Sequence, residues 1–288
     1  MTFYEPLSSL TSWKVGGSAV ACFTPPTERE LVGFLIFASS NKIPYTVIGG
    51  GTNVLVHDTG FKGVVIATRG LREFQAINSN TFVFGAGFQI SNILKFAINR
   101  NLSGWEHMAG IPGSVGGALI GNAGVKGQTS SDSLVWLDFI DENGNKVRLA
   151  KEDVKWDYRY SSLADRPGVI ARACFRFDDS TEHLVKNKTL YFLKLRKNQP
   201  VASLTAGSVF KNISEDEPAG LLLDMYGCKG KSEGGALVSN KHANFILNSN
   251  SASALDIWNL IKLCRFIVLE RHGKWLDLEV RLIGGPWV

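Results

Sequence analysis

The sequence has 288 residues, of which 44% are apolar and 20% charged, so disordered and fibrous classes are excluded. Lys and Arg number 31 against 26 Asp and Glu, a net +5 that suits an anionic small molecule or a nucleic acid and chooses neither. The length fits two domains of about 150 residues better than one or three.

Four cysteines (Cys22, Cys174, Cys228, Cys264) stand far apart with no CxxC pair. This predicts buried thiols in a reducing cytosol and neither disulfides nor a zinc site. The opening MTFYEPLSSL has no basic residue before Lys14, and Glu5 and Pro6 interrupt it, so no secretory signal is expected.

In chain order, Pro26-Thr27 opens a helix. Thr27 and Glu30 form a capping box, and Leu31, Phe34, Leu35 and Ala38 share one face. Strands are predicted at 45–48, 64–66 and 82–84, the first ending in Gly49-Gly50-Gly51 and the last in Gly85-Ala86-Gly87. A second amphipathic helix uses Ile90, Ile93, Leu94, Ala97 and Ile98. The uncharged run Met108 to Val125 is long enough for a membrane span. Yet 6 of its 18 residues are glycine and Pro112 interrupts it, so it predicts glycine-rich loops that would break as a helix, with no membrane partner. A hairpin is expected over 135–149, turning at Asn143-Gly144, then a strand over 169–177 and a basic surface helix over 186–197. Short strands follow at 208–210, 236–238 and 244–247, then a long helix from about Ala252 to His272 stopped by Gly273, and a final strand over 275–283. The mixture predicts an α+β fold, with a domain boundary near Asn198-Gln199-Pro200.

The glycine loops are the first chemical signal. Backbone N–H groups after a strand can cradle a phosphate, but so can any tight turn look this way. Neither Gly49-x-Gly51 nor Gly85-x-Gly87 completes a Rossmann fingerprint, because positions 54 and 90 are Val and Ile. Gly230-Lys231-Ser232 fails as a P-loop because Met225 holds the glycine position. The run Gly110-Ile111-Pro112-Gly113-Ser114-Val115-Gly116-Gly117, with Asn122 just beyond, carries more flexible residues than stability alone accounts for. Facing Gly49-Gly50-Gly51-Thr52-Asn53, it makes two glycine-rich walls suited to a dinucleotide pyrophosphate.

Several blocks stand in one order along the chain: Ser12-Trp13-Lys14-Val15-Gly16-Gly17, Gly49 to Val56, Gly104-Trp105-Glu106 leading into the loop above, and Asn122-Ala123-Gly124. They continue with Tyr158-Arg159-Tyr160-Ser161, Ala206 to Asn212, Val238-Ser239-x-x-His242-Ala243-Asn244-Phe245 and Leu276 to Val280. Together they resemble the flavin-dependent UDP-N-acetylenolpyruvoylglucosamine reductases of peptidoglycan synthesis, the MurB family, in its compact subtype. The pattern departs at Gly121 and Lys126, where the family has a bulkier apolar residue and an aromatic, and at Leu278, where it usually has proline.

The resemblance implies an FAD-binding region of the vanillyl-alcohol-oxidase (PCMH) type over 1–198, in two parts split near 68. It also implies a substrate-binding domain over 199–288 whose last strand returns toward the FAD region. FAD is expected to be non-covalent, held by Gly49, Gly50, Gly51, Thr52, Asn53, Gly110, Gly113, Ser114, Gly116, Gly117 and Asn122. NADPH is the implied co-substrate, and a UDP-linked amino sugar carrying an enol ether the implied substrate. Reducing that group requires a proton donor and stabilisation of an enolate. The resemblance gives these roles to Ser208 as donor, Arg159 as partner of the carboxylate, and Glu279 as a carboxyl useful in its protonated form. On residue pattern alone, Ser208 reads as a turn serine, Arg159 as a surface arginine and Glu279 as the solvent side of an edge strand. Lys211 and Asn212 are candidates for the diphosphate, Tyr158 for the sugar and His242 for a further substrate contact. The other histidines (His57, His107, His183, His272) form no ligand pattern, and no metal is expected. A cytoplasmic monomer or weak oligomer is expected. The alternatives are another flavoenzyme of this fold acting on an alcohol or hydroxy acid, and a basic nucleic-acid binder using Lys194-x-Arg196-Lys197 and Lys229-x-Lys231, clusters that otherwise read as solvated faces.

Overall fold

The computed structural model describes residues 1–125, 127–200 and 204–287, so Lys126 lies outside the described residues. The chain forms two compact units. One comprises Met1, Phe23–Gly50 and Val65–Lys197; the other comprises Thr2–Cys22, Gly51–Val64 and Asn198–Val288. The unit holding the C-terminal segment thus also takes two stretches from the first quarter of the chain.

In the first unit, helix α1 (Glu28–Ser40) starts at Thr27, whose hydroxyl accepts the Glu30 N–H, and buries Leu31, Phe34, Leu35 and Ala38. Helix α2 (Ile90–Asn99) buries Ile90, Ile93, Leu94 and Ala97. A five-stranded antiparallel sheet carries the unit, in the order Lys146–Ala150, Leu134–Asp141, Gly168–Arg176, Thr81–Gly85, Phe74–Ala76. Period-two alternation puts Phe82 and Phe84 on one face, where they meet Phe74, Phe96 and Phe175.

The 110–127 region departs from expectation. Helix α3 (Val115–Ile120) forms there despite Gly116 and Gly117. Its first turn is pinned from outside, Val115 N–H to the Phe88 carbonyl at 3.0 Å and Gly116 N–H to Ala86 at 2.9 Å, and it buries Val115, Ala118 and Leu119. Helix α4 (Glu182–Leu195) begins four residues before the expected start because Thr181 caps it through the Leu184 N–H.

The same sheet buries a carboxylate completely. Register sets Asp138 opposite Arg148 on one neighbouring strand and Arg172 on the other. Arg148 donates to both carboxylate oxygens (2.8 and 3.1 Å), Arg172 to one (2.8 Å), and Lys146 lies 3.1 Å away. Burial would raise the Asp138 pKa, but these three cations outweigh it and hold it at about 2.

In the second unit, helix α5 (Ala219–Met225) and helix α6 (Ala254–His272) share a core with Trp13, Leu55, Val209, Phe210 and Leu276. Trp13 is fully buried, its indole N–H donating to the Ile246 carbonyl at 2.8 Å while its own carbonyl accepts from Asn248. Ser253 and Asp256 make a capping box for α6, and Asp58 accepts from the Ala254 and Leu255 N–H groups as well. Gly273 ends the helix in the left-handed conformation. The strand Arg281–Ile283 runs parallel to Val54–Val56.

Two expected strands are shorter than their sequence suggests. Residues 208–210 make only single bridges, Ser208 to Phe245 and Phe210 to Leu278, because a side chain takes the place of a neighbouring strand there. Of 275–283, only Arg281–Ile283 is strand. The bridge at Leu278 is made by the Lys211 N–H to Asp277 and the Glu279 N–H to Val209, both 2.8 Å. Neither bond needs an N–H at 278, so leucine in place of proline leaves this backbone pairing in place. No helix among the described residues is long and apolar enough to cross a membrane.

Candidate active site

The glycine walls come together inside the first unit. A Cβ on Gly49 would stand 2.6 Å from the Ser114 Oγ, and one on Gly50 2.7 Å from the Gly113 Cα. Gly116 is less tightly constrained, against the Ala86 Cβ at 3.0 Å. Gly117 differs: a Cβ there meets nothing nearer than 3.7 Å, and its φ is ordinary. Glycine inside α3 costs about 1 kcal/mol relative to alanine, so its presence points to something outside the chain that approaches closely. The Ser114 Oγ and the Asn122 Oδ1 are buried with no hydrogen-bond partner among the described residues. An orphaned buried acceptor is costly unless a ligand completes it. Gly51 has a packing reason instead: its φ is +67°, a Cβ would clash with the Leu10 carbonyl, and its own carbonyl accepts from Ser12.

Asn122 also ties this region to Arg159. Its amide donates to the Asp157 carbonyl at 3.0 Å, and the Ser161 hydroxyl donates to the Ile120 carbonyl at 2.9 Å. Both bonds fasten the two-residue turn between Trp156–Asp157 and Tyr160–Ser161, which carries Tyr158 and Arg159. Arg159 has a φ of +53°, a left-handed position that favours glycine or asparagine. A non-glycine residue held there stores strain of the kind found at functional sites. Its guanidinium lies 5.2 Å from the centroid of the exposed Tyr158 ring. Arg196, just past α4, was hidden in a basic cluster that reads as a solvated face. Its stem lies over Gly110, where a Cβ would come within 2.9 Å of the Arg196 Cδ. Burial, and then the charge of Arg159, push the Arg196 pKa down. Gly110 is left-handed there, at φ +77°.

The second unit holds Ser208 and Glu279. Ser208, Asn212 and His242 line one cavity of about 350 Å³, with Lys229, Lys241 and Asn244. Lys211 is not among its lining residues; its backbone N–H binds Asp277. Asn212 accepts the Ala219 N–H at the start of α5. Lys229 pairs with Asp224 at 2.6 Å. His242 accepts the Asn244 N–H on Nδ1 (3.2 Å), and burial, aided by Lys229, pushes its pKa down, which favours the neutral ring. Gly220 makes room for that ring, since a Cβ would lie 2.7 Å from its Cε1. The Asn53 amide donates to the Glu279 carbonyl at 2.9 Å, and the Asn53 carbonyl accepts from Arg281. Asn53, expected at the cofactor, therefore also sets the backbone of Glu279. No group of three or more metal-binding side chains occurs among the described residues.

Residues 199–283 match the C-terminal domain of UDP-N-acetylenolpyruvoylglucosamine reductase, and residues 19–150 match an FAD binding domain. The UDP-N-acetylenolpyruvoylglucosamine reductase of Synechococcus sp. (strain JA-3-3Ab) is 39% identical, over 97% of this chain and 90% of that protein. The chain belongs to the UDP-N-acetylenolpyruvoylglucosamine reductase family. The enzyme of the same name from Caldanaerobacter subterraneus is 35% identical, over 97% of this chain and 92% of its own. The crystal structure of the Thermus caldophilus reductase (MurB) superposes with a TM-score of 0.84 at 30% identity, covering 97% of this chain and 98% of that one. The α+β fold with an FAD-binding domain and the family's C-terminal domain is thereby established. The match over 199–283 favours this family over an alcohol or hydroxy-acid oxidase.

Proposed function

We propose that the chain is an FAD-dependent reductase that uses NADPH to reduce the enolpyruvyl group of UDP-N-acetylenolpyruvoylglucosamine, yielding UDP-N-acetylmuramate for peptidoglycan synthesis. The observation that carries this reading is family membership over 97% of the chain. FAD, when bound, supplies the hydride chemistry that no side chain can. Gly49, Gly50, Gly113, Gly117, Ser114 and Asn122 would hold it: the glycines by letting backbone approach it, Ser114 and Asn122 by the buried oxygens described above. Gly51, Thr52, Asn53, Gly110 and Gly116 complete the proposed set as the supporting backbone.

Ser208 donates the proton from Oγ to the substrate carbon, where the negative charge makes a weak acid sufficient. Arg159, permanently charged and planar, grips the carboxylate as its charge grows. Glu279 hydrogen-bonds the developing enolate. Asn212 and Lys211 take the diphosphate, Tyr158 the sugar, and His242 makes a further substrate contact. In sequence the FAD-binding part is 1–198 and the substrate part 199–288, although Thr2–Cys22 and Gly51–Val64 fold with the latter, in a cytoplasmic monomer or weak oligomer.

Holoprotein mixed with NADPH should lose its flavin colour and regain it on adding the enolpyruvyl nucleotide, with UDP-N-acetylmuramate as product. Acid precipitation should release the chromophore. A protein that takes up no flavin on reconstitution would refute the reading. Lys211→Ala should weaken nucleotide-sugar binding by about 1.5–3 kcal/mol, the range for a hydrogen bond to a charged group, while flavin reduction suffers less. Calorimetric titration measures this; wild-type affinity would pass the role to Lys229 and Lys241, which line the cavity.

A further inference from the structure

Asn244 is almost wholly buried, with 3% exposure, and all its polar groups are used. Its side-chain Oδ1 accepts the Phe210 N–H at 2.9 Å and its Nδ2 donates to the Phe210 carbonyl at 2.8 Å. One amide thus grips both polar groups of a single residue, as the backbone of an adjacent strand would. Its main-chain carbonyl accepts the Val209 N–H at 2.9 Å, and its N–H donates to the His242 Nδ1. From the other side, Val209 accepts the Glu279 N–H. Residues 209 and 210 are therefore held between Asn244 and the backbone of Glu279, and Ser208 is the next residue out.

We infer that Asn244 is a positioning residue: its side-chain amide replaces a missing β-strand, fixing the Val209–Phe210 backbone so that the Ser208 hydroxyl is held at the cavity wall. The inference rests on the proposed role of Ser208 as proton donor. Gly207, left-handed at φ +81° with nothing within 4 Å of a built Cβ, joins Ser208 to Ala206, which is buried in the unit's core. Restraint comes from the C-terminal side and from the single bridge of Ser208 to Phe245. Asparagine is the residue this needs, because the grip takes one donor and one acceptor in a fixed plane. Aspartate is isosteric, but only its protonated form can donate to the Phe210 carbonyl.

That difference supplies the test. Holoenzyme carrying Asn244→Asp is compared with wild type by stopped-flow absorbance, each half-reaction separately, from pH 5 to pH 8. Reoxidation by the enolpyruvyl nucleotide should be about 10²-fold slower at pH 8, the cost of a misplaced catalytic group. It should recover as pH falls, a limb absent from wild type, while reduction by NADPH stays within about twofold. Asn244→Ala, which buries no charge, is the second variant; with FAD retained, its reoxidation should slow by a similar factor at every pH. Asn244→Asp tracking wild type at all pH values would overturn the inference. So would equal loss in both half-reactions without acid recovery, which marks a merely structural role. Ser208→Ala is run in parallel: if it reoxidises at the wild-type rate while Asn244→Asp shows its acid limb, the proton-donor reading fails, and the claim that the clamp acts through Ser208 falls with it.

Discussion

Ser208→Ala holoenzyme is expected to be reduced by NADPH at close to the wild-type rate and to be reoxidised by the enolpyruvyl nucleotide about 10²–10⁴-fold more slowly. The split follows from the division of labour. Ser208 lines the cavity beside Asn212 and His242, and its proposed duty falls only in the second half-reaction, when the substrate carbon takes a proton. Ser208→Cys should keep more activity than the alanine variant, because a thiol also donates. The fold should survive both changes, since a partly exposed hydroxyl contributes little to core packing. Stopped-flow measurement of the two half-reactions decides the matter, and wild-type reoxidation by Ser208→Ala would sink the assignment.

Asp138→Asn is expected to cost about 2–4 kcal/mol of stability. Breaking a buried ion pair costs about 3–5 kcal/mol, and the figure is reduced here because Arg148 is half-exposed and screened. Its pH dependence gives a sharper check. The native pKa of about 2 lies below the unfolded value of 3.8, so the carboxylate stabilises the fold above the unfolded pKa and loses that contribution as pH falls toward 2. That lowering corresponds to a contribution of about 2 kcal/mol. The stability gap between wild type and Asp138→Asn should be constant above about pH 5 and narrow steadily below pH 4. Urea unfolding at a series of pH values measures it; a gap that does not change with pH would show that packing, and not charge, holds Asp138.

Features set by neighbours a few residues apart were legible in the sequence. Thr27 with Glu30, Asn143-Gly144 and Gly273 each act within one turn of chain, and α1, the hairpin and the end of α6 stand where they indicated. What stayed hidden depends on distant partners. The glycines of helix α3 disfavour a helix, yet bonds to Ala86 and Phe88 start it. Residues 208–210 alternate like a strand, but their partner is the side chain of Asn244, 34 positions away. Asp138 stands between apolar Leu137 and Phe139, and only the register of two neighbouring strands reveals why it is buried. The proposed site residues were found through motif resemblance; the pattern of apolar and polar positions alone assigned Ser208, Arg159 and Glu279 to surfaces.

The bond from Trp13 to Ile246 joins residues 233 positions apart. On the ribosome, at about 5–20 residues per second, Trp13 emerges roughly 10–50 s before its acceptor. Its neighbours in the second unit's core, Leu55 among them, wait as well, while the first unit's sheet, completed by Arg176, has all its strands. The nascent chain therefore carries an unshielded tryptophan and an unfinished apolar surface through most of its synthesis. Until Ile246 is made, that surface lacks the partners that cover it in the folded chain.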